Sequence, residues 1–149
     1  GLQYYKNRDY PKAVEYLKKA LELNPGNAYA HYYLGATYKD YTEMVDNLAA
    51  SIKEFEAAIA ADQNLIPAYT MLASIYIKQG KFEKAEAICK KAIEANSEDP
   101  EPRYYLAESY FHREMYEQAR EECKRALRID PSHAESRHLL TKVNKILEY

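Results

Sequence analysis

The sequence AEAICKKAI at residues 85–93 returns as AREECKRAL at residues 119–127, with Ala, Cys and a second Ala at matching places. Upstream, LASIY at residues 72–76 pairs with LAESY at residues 106–110, and Phe82 pairs with Tyr116. Every pair is separated by 34 residues. A fixed period of this length predicts an array of similar structural units that stack on one another.

The apolar residues inside each unit have helical spacing. Tyr69, Leu72 and Tyr76 lie at i, i+3 and i+7, which predicts one buried face on a helix, and residues 85–92 repeat the pattern. Turn-forming residues separate the helices, with Gly80 inside a unit and SEDP at residues 97–100 between units. Each unit is therefore predicted to be a helix, a tight turn and a second helix.

This pattern resembles the tetratricopeptide repeat. The signature of that family has Leu-Gly or Leu-Ala and then Tyr on the first helix, followed by a turn aromatic and Ala-x3-large-x2-Ala on the second. Here LASIY is followed by Phe82, Ala85, Cys89 and Ala92, and the first half of the chain repeats the theme from Leu34. The resemblance covers essentially the whole chain. It implies an all-α fold, a right-handed superhelix or solenoid of about 3.5 hairpins with a C-terminal capping helix.

The register divides the 149 residues of one predicted domain into a partial repeat at 1–27, repeats at 28–65, 66–99 and 100–133, and a capping helix at 134–149. The repeat at 28–65 exceeds the period by four residues, near Thr42 and Val45. Two interpretations stay open: a longer helix with a shifted turn, or an exposed knob that touches a partner. Gly1 falls in the middle of a first helix, so we expect a fragment of a longer protein.

Charge and hydropathy exclude some partners. Lys plus Arg number 21 against 23 for Asp plus Glu, whereas nucleic acid or an acidic membrane surface requires a one-signed basic face. No apolar run approaches the roughly 20 residues of a membrane span. No leader is visible, so we expect a cytoplasmic location unless an upstream targeting segment was removed.

No residue pattern indicates catalysis or metal binding. Cys89 and Cys123 occupy the second-helix position that Leu17 and Phe55 fill elsewhere, and a free cysteine there behaves as a small buried hydrophobe. No glycine-rich phosphate loop or nucleophile turn is present, and the histidines lack metal-ligand spacing: His31, His112, His133 and His138. We predict a non-enzyme with no catalytic residue, no metal and no cofactor.

Tyrosine is unusually frequent, with 16 copies. The pairs Tyr32-Tyr33 and Tyr104-Tyr105 are in excess of the signature. The resemblance implies that first helices line a concave groove, and aromatic residues and Met are enriched in interfaces. An alternative is that these rings pack between adjacent first helices. The predicted partner-binding residues are Tyr29, Tyr32, Tyr33, Lys39, Thr70, Met71, Ser74, Lys78, Tyr104, Tyr105, Glu108, Phe111, His112 and Lys142, with Tyr5, Lys6 and Ala36 on the same lining.

One known binding mode of the family is not predicted here. Members that hold the acidic tails of heat-shock chaperones use Lys and Asn on one first helix, Asn on the next, and Lys and Arg on the third. The corresponding residues of this chain are Tyr32 and Ala36, then Met71, then Glu101 and Tyr105. None of them matches, so we do not expect a carboxylate clamp of that kind.

The leading functional hypothesis is a scaffold or adaptor that binds a peptide or protein segment in its groove without catalysis. The alternative is a secretion or assembly chaperone, or a self-associating module that uses convex or end surfaces. In that case the truncated N-terminal face would pair with a second copy.

Overall fold

The computed structural model describes residues 1–41 and 47–148, and all regular structure within those ranges is α-helical. This confirms the predicted all-α class. The interpretations offered for Thr42 and Val45 lie outside the described residues. The helices are α1 (Leu2–Lys6), α2 (Tyr10–Leu23), α3 (Ala28–Asp40), α4 (Asn47–Ala61), α5 (Ile66–Lys78), α6 (Phe82–Ala95), α7 (Pro100–His112), α8 (Tyr116–Ile129) and α9 (Ala134–Leu147).

The chain forms two compact units, Gly1–Met71 and Leu72–Tyr149. In the first unit α1 packs against α2, α2 against α3 and α3 against α4. In the second unit α6 packs against α7, α7 against α8 and α8 against α9. The first helix of each predicted repeat is therefore an odd-numbered element, and these odd-numbered helices contain the predicted partner-binding residues.

The turns that follow the second helices share one local structure. In each of them an Asn or Asp side chain accepts a hydrogen bond from the backbone N–H two residues later, which is an Asx turn. This hydrogen bond stabilises the turn that immediately precedes the first helix of the next repeat. The pairs are Asn24 with Gly26 at 3.2 Å, Asp62 with Asn64 at 2.9 Å, Asn96 with Glu98 at 2.9 Å and Asp130 with Ser132 at 3.0 Å.

Three of the turns inside the repeats depend on a left-handed residue. Arg8, Gly80 and Glu114 have φ angles of 61°, 74° and 59°. The residue after each donates its N–H to the carbonyl of the signature tyrosine, as from Lys81 to Tyr76 at 2.8 Å, which is the Schellman ending of a helix. Glycine adopts this conformation without steric cost, whereas Arg8 and Glu114 occupy it at a cost in stability.

A glycine allows close helix packing in the first unit. A Cβ added to Gly35 on α3 would lie 3.1 Å from two ring carbons of Phe55 on α4, which is fully buried. The hydroxyl of Ser51 donates to the carbonyl of Gly35 at 2.8 Å, also in the interior. The small residue of the first helix thus makes room for a large residue of the second.

In the second unit the facing positions of the first and second helices hold Ala and Cys rather than Gly and Phe. Ala73, Cys89, Ala107 and Cys123 belong to one buried cluster, together with Val143 of α9. Both cysteines are free and buried, and burial raises the pKa of each thiol to about 12. Their predicted role as core residues is confirmed. Where the first-helix residue is Ala rather than Gly, the facing slot holds Cys rather than Phe.

Glu86 on α6 links two helices of the second unit. Its carboxylate accepts hydrogen bonds from Lys90 at 2.8 Å, from the hydroxyl of Tyr110 at 3.2 Å and from Arg113 at 2.5 Å. Burial raises the pKa of Glu86, but these donors outweigh burial and lower the pKa below its ordinary value of 4.5. The ionised carboxylate is therefore part of the contact between α6 and α7.

Candidate partner-binding surfaces

Tyr104 and Tyr105 form an aromatic pair on α7, the first helix of its repeat. Their rings meet edge to face with centroids 5.1 Å apart, and both side chains are half-buried. Burial raises the pKa of both hydroxyls, and the carboxylates of Glu101, Glu108 and Glu135 raise it further. The pair therefore presents uncharged hydroxyls beside acidic groups.

Glu108 lies one turn beyond this pair and shares its surface with several predicted residues. Its side chain is half-buried, and burial raises the pKa of the carboxyl group. The charges of Lys142 and Lys78, together with the neighbouring imidazole of His112, act in the opposite direction, so these three side chains lie near Glu108. Six predicted residues of the second unit thus form a mixed aromatic and charged surface.

Phe111 and His112 are only partly available to a ligand. The ring of Phe111 contacts Tyr116 at 5.7 Å and packs against the core cluster of the second unit. The imidazole of His112 is exposed, but one face stacks on Phe82 with centroids 5.2 Å apart and an interplanar angle of 4°. Phe111 therefore serves mainly the fold, while the outer face of His112 is open.

The predicted tyrosines of the first unit divide between core and surface. Tyr29 is 60% exposed at the start of α3. Tyr32 and Tyr33 are half-buried and meet edge to face at 5.1 Å, and Tyr32 also contacts Phe55 at 5.7 Å. The inner edge of Tyr32 is therefore a packing contact, and only its outer edge faces solvent.

The remaining predicted residues differ in accessibility. Ala36 is 2% exposed, so its predicted place on the lining is wrong: the small side chain is enclosed within the first unit. Thr70 and Met71 are half-buried on α5, and the hydroxyl of Thr70 donates to the carbonyl of Pro67 at 3.1 Å. Ser74 is half-buried and Lys78 is exposed.

Lys39 lines a cavity of about 520 Å³ in the first unit. Two of its lining residues are hydrogen-bonded: the hydroxyl of Tyr5 donates to the carboxylate of Asp40 at 3.0 Å. Burial, and then this hydrogen bond, raise the pKa of Tyr5 to about 12. Sequence reasoning placed Tyr5, Lys6 and Lys39 on one surface but missed the other contributors: Arg8, Tyr10 and Asp40.

His133 is the centre of a polar cluster that sequence reasoning also missed. Its Nε2 lies 2.7 Å from Glu101 and 3.8 Å from Glu135, and the three side chains offer ligand atoms within 4.8 Å of one another. Its Nδ1 accepts a hydrogen bond from the backbone N–H of Ser136 at 3.3 Å. In the neutral ring the proton is therefore on Nε2 and points at Glu101. The cluster is a hydrogen-bonded cap of α9, and a metal ion would have to displace that proton.

Family models cover most of the chain. A tetratricopeptide repeat model matches residues 46–96 and 80–143, and a second TPR repeat model matches residues 1–40. The chain belongs to the tetratricopeptide repeat family. Within the described ranges, no helix has both the length and the apolar character needed to cross a bilayer.

Among curated proteins, the chain is similar to human interferon-induced protein with tetratricopeptide repeats 2, with 31% identity over 105 residues. The match covers 60% of this chain and 22% of that protein. The chain therefore spans about a fifth of the length of this relative.

Two solved structures show the same fold. The first TPR of Spaghetti (RPAP3), bound to the HSP90 peptide SRMEEVD, is 22% identical with a TM-score of 0.73, and the match covers 82% of this chain and 94% of that one. YrrB, described as a TPR protein with an unusual peptide-binding site, is 22% identical with a TM-score of 0.75, covering 98% and 73%. At this level of identity the likeness establishes the fold alone.

Proposed function

We propose that this chain is a non-catalytic protein-interaction scaffold, and that it binds a segment of a partner protein through side chains on its first helices. The observation that carries the proposal is the edge-to-face pair of Tyr104 and Tyr105, half-buried beside Glu108. Two rigid rings offer a large contact area at a small loss of side-chain entropy, and their hydroxyls can hydrogen-bond to a backbone.

The charges around the tyrosine pair would determine the register of the bound segment. Glu108 is acidic, while Lys78 and Lys142 on the same surface are exposed cations. A partner with both an apolar and a charged side chain would satisfy this surface better than a purely apolar one. The similar structures that hold or are described as binding peptides support this type of ligand.

The first unit would add a second set of contacts. Tyr29 is exposed, and Tyr32 and Tyr33 present their outer edges on α3. Thr70 and Met71 are partly accessible on α5. Partly buried aromatic residues of this kind are typical interface anchors, because the fold already restricts their side chains and little conformational entropy is lost on binding.

An affinity pull-down with the Tyr104→Ala/Tyr105→Ala variant tests the proposal. We expect the variant to lose the partner that the wild-type chain retains. The matched control is Lys91→Ala/Glu94→Ala, two exposed positions on the second helix α6, which should retain it. Far-UV circular dichroism must show that both variants remain helical. Undiminished capture by a helical tyrosine variant would contradict the proposal.

Self-association is a second candidate, because two apolar side chains near the turn at residues 24–27 are unusually exposed. Leu23 is 90% exposed and Tyr29 is 60% exposed. If they contact a second copy, light scattering should show a mass that rises with concentration in the wild type and stays monomeric in Leu23→Glu. A concentration-independent mass in both proteins would exclude this candidate.

A further inference from the structure

The cavity beside Lys39 differs chemically from the tyrosine pairs. Its lining consists of Tyr5, Lys6, Arg8, Tyr10, Lys39 and Asp40. It lies where α1 and α3 end and α2 begins, so it is built entirely within the first unit. At about 520 Å³ it is large enough for a side chain and part of the adjoining backbone of a bound segment.

Three of the six lining side chains are cationic and one is anionic. Among the ion pairs of residues 1–41 and 47–148, none includes Lys6, Arg8 or Lys39. The one carboxylate, Asp40, already accepts a hydrogen bond from Tyr5. The cations of the cavity are therefore available to an external anion.

A simple charge sum limits the kind of anion. Lys6 and Lys39 lie in the last turns of α1 and α3, and each helix end adds up to about half a negative charge. Three cations, one carboxylate and two helix ends leave a surplus of about one to two positive charges. One or two carboxylates match that surplus, whereas a phosphate group would place nearly two negative charges on one centre beside Asp40.

We infer that this cavity binds an acidic segment of a partner protein, with one or two Asp or Glu side chains facing Lys6, Arg8 and Lys39. The inference rests on the proposed function and assigns a charge to part of the bound partner. It adds a contact that is separate from the tyrosine pair of the second unit. Lys39 belongs to both this cavity and the predicted partner-binding set, and Tyr5 and Lys6 were predicted on the same lining.

Arg8 makes the inference testable without damage to the fold. Its φ of 61° favours glycine, and Gly80 occupies the equivalent turn with a φ of 74°. Arg8→Gly should therefore raise the melting temperature while it removes a cation from the cavity. A variant that gains stability and loses binding cannot owe the loss to unfolding.

Fluorescence anisotropy of the full chain, at low ionic strength, provides the measurement. The probe is a fluorescein-labelled Gly-Ser peptide that contains Asp-Glu-Asp, and the matched probe contains Asn-Gln-Asn. We expect the acidic probe to bind more tightly and to weaken with added salt. Arg8→Gly and Lys39→Ala should each weaken it about two- to fivefold. Lys18→Ala, an exposed lysine of α2 outside the cavity, should leave binding unchanged.

Three results would overturn the inference. One is equal binding of the acidic and amide probes. Another is wild-type affinity in both Arg8→Gly and Lys39→Ala. The third is much tighter binding of a phosphoserine peptide, or of a single-stranded oligonucleotide, in competition with the acidic probe.

The Tyr104→Ala/Tyr105→Ala variant separates this inference from the proposed function. It should bind the acidic probe like the wild type, because the tyrosine pair lies in the other unit. If this variant keeps its partner while Arg8→Gly loses the acidic probe, the tyrosine surface is wrong and the cavity assignment stands.

Discussion

Replacing Gly35 with Ala tests how tightly a first helix packs on the second helix of its repeat. The new Cβ would lie 3.1 Å from Cδ1 and Cε1 of Phe55 and 3.2 Å from Cγ, whereas carbon atoms normally approach to about 3.5–4.0 Å. Phe55 is 0% exposed, so its ring cannot move toward solvent. Either the ring or the helix must shift by a few tenths of an ångström.

Two opposing effects determine the magnitude. Alanine is more favourable than glycine inside a helix by about 1 kcal/mol. Over-packing of a well-packed core costs about 1–3 kcal/mol. Because the ring of Phe55 is enclosed, we expect the steric cost to be larger. The free energy of unfolding should fall by about 1 kcal/mol, and the melting temperature by about 2–4 °C for a chain of this size.

Urea unfolding followed by far-UV circular dichroism provides the assay, together with a double-mutant cycle. Phe55→Cys alone should cost about 3–5 kcal/mol, as for other truncations of a buried aromatic residue. The double variant reproduces the pairing of Ala73 with Cys89, so its loss should be smaller than the sum of the single losses by at least about 1 kcal/mol. A Gly35→Ala protein more stable than the wild type, or losses that add within about 0.5 kcal/mol, would show that Gly35 and Phe55 are not tightly packed.

The other predictions concern the turns, the thiols and one partly buried carboxylate. Gly80→Ala should lower the free energy of unfolding by about 1 kcal/mol, because a backbone φ of +74° is unfavourable for a residue with a Cβ. No neighbour contacts the added Cβ, so steric overlap does not contribute. Glu114→Gly, at the equivalent turn, should raise it by up to about 1 kcal/mol; urea midpoints with the opposite signs would contradict both. Cys89 and Cys123 should react with Ellman's reagent at pH 8 only after unfolding, because the pKa of each thiol is about 12; rapid modification of the native protein would show that they are accessible. Glu86 has a lower pKa folded than unfolded, so its stabilisation is complete above about pH 4.5 and is lost as the pH falls through the folded pKa. Glu86→Gln should therefore cost about 1–2 kcal/mol at pH 7 and less in acid, and an equal cost at both pH values would argue against an ionised contact.

The helical core could be predicted from the sequence because it depends on periodicity alone. Leu72, Ala73 and Tyr76 recur 34 residues later on the same helix face, and each is buried in the structure. The cysteines were predictable for the same reason, since they occupy a position that Phe55 fills in another repeat.

The cavity could not be predicted in full because its residues follow no period. Arg8 comes from a turn and Asp40 from the end of a helix that begins 20 residues later, at Ala28. Three equivalent turns contain a residue with a left-handed backbone: Arg8, Gly80 and Glu114. Only the turn at Gly80 shows this in the sequence, because glycine favours that conformation. Arg8 and Glu114 adopt the same left-handed conformation at a cost in stability, and their residue types do not predict it.

The division of the tyrosines between core and surface was also beyond the sequence. Tyr32 contacts Phe55 with one edge and faces solvent with the other, while Ala36 one turn further is enclosed. Both belong to the same helix face by register. Whether a side chain on that face stays accessible depends on the size of its neighbours on the next helix, which the register does not specify.

Site-specific photo-crosslinking can show whether the outer surface of the first helices contacts the partner while the second helices serve as a packed support. A benzophenone amino acid would replace Tyr105 in one protein and Lys91 in another, the first on α7 and the second exposed on the second helix α6. After irradiation in a lysate, we expect a covalent adduct of defined mass from position 105 and none from position 91. An adduct from position 91 with none from position 105 would contradict it.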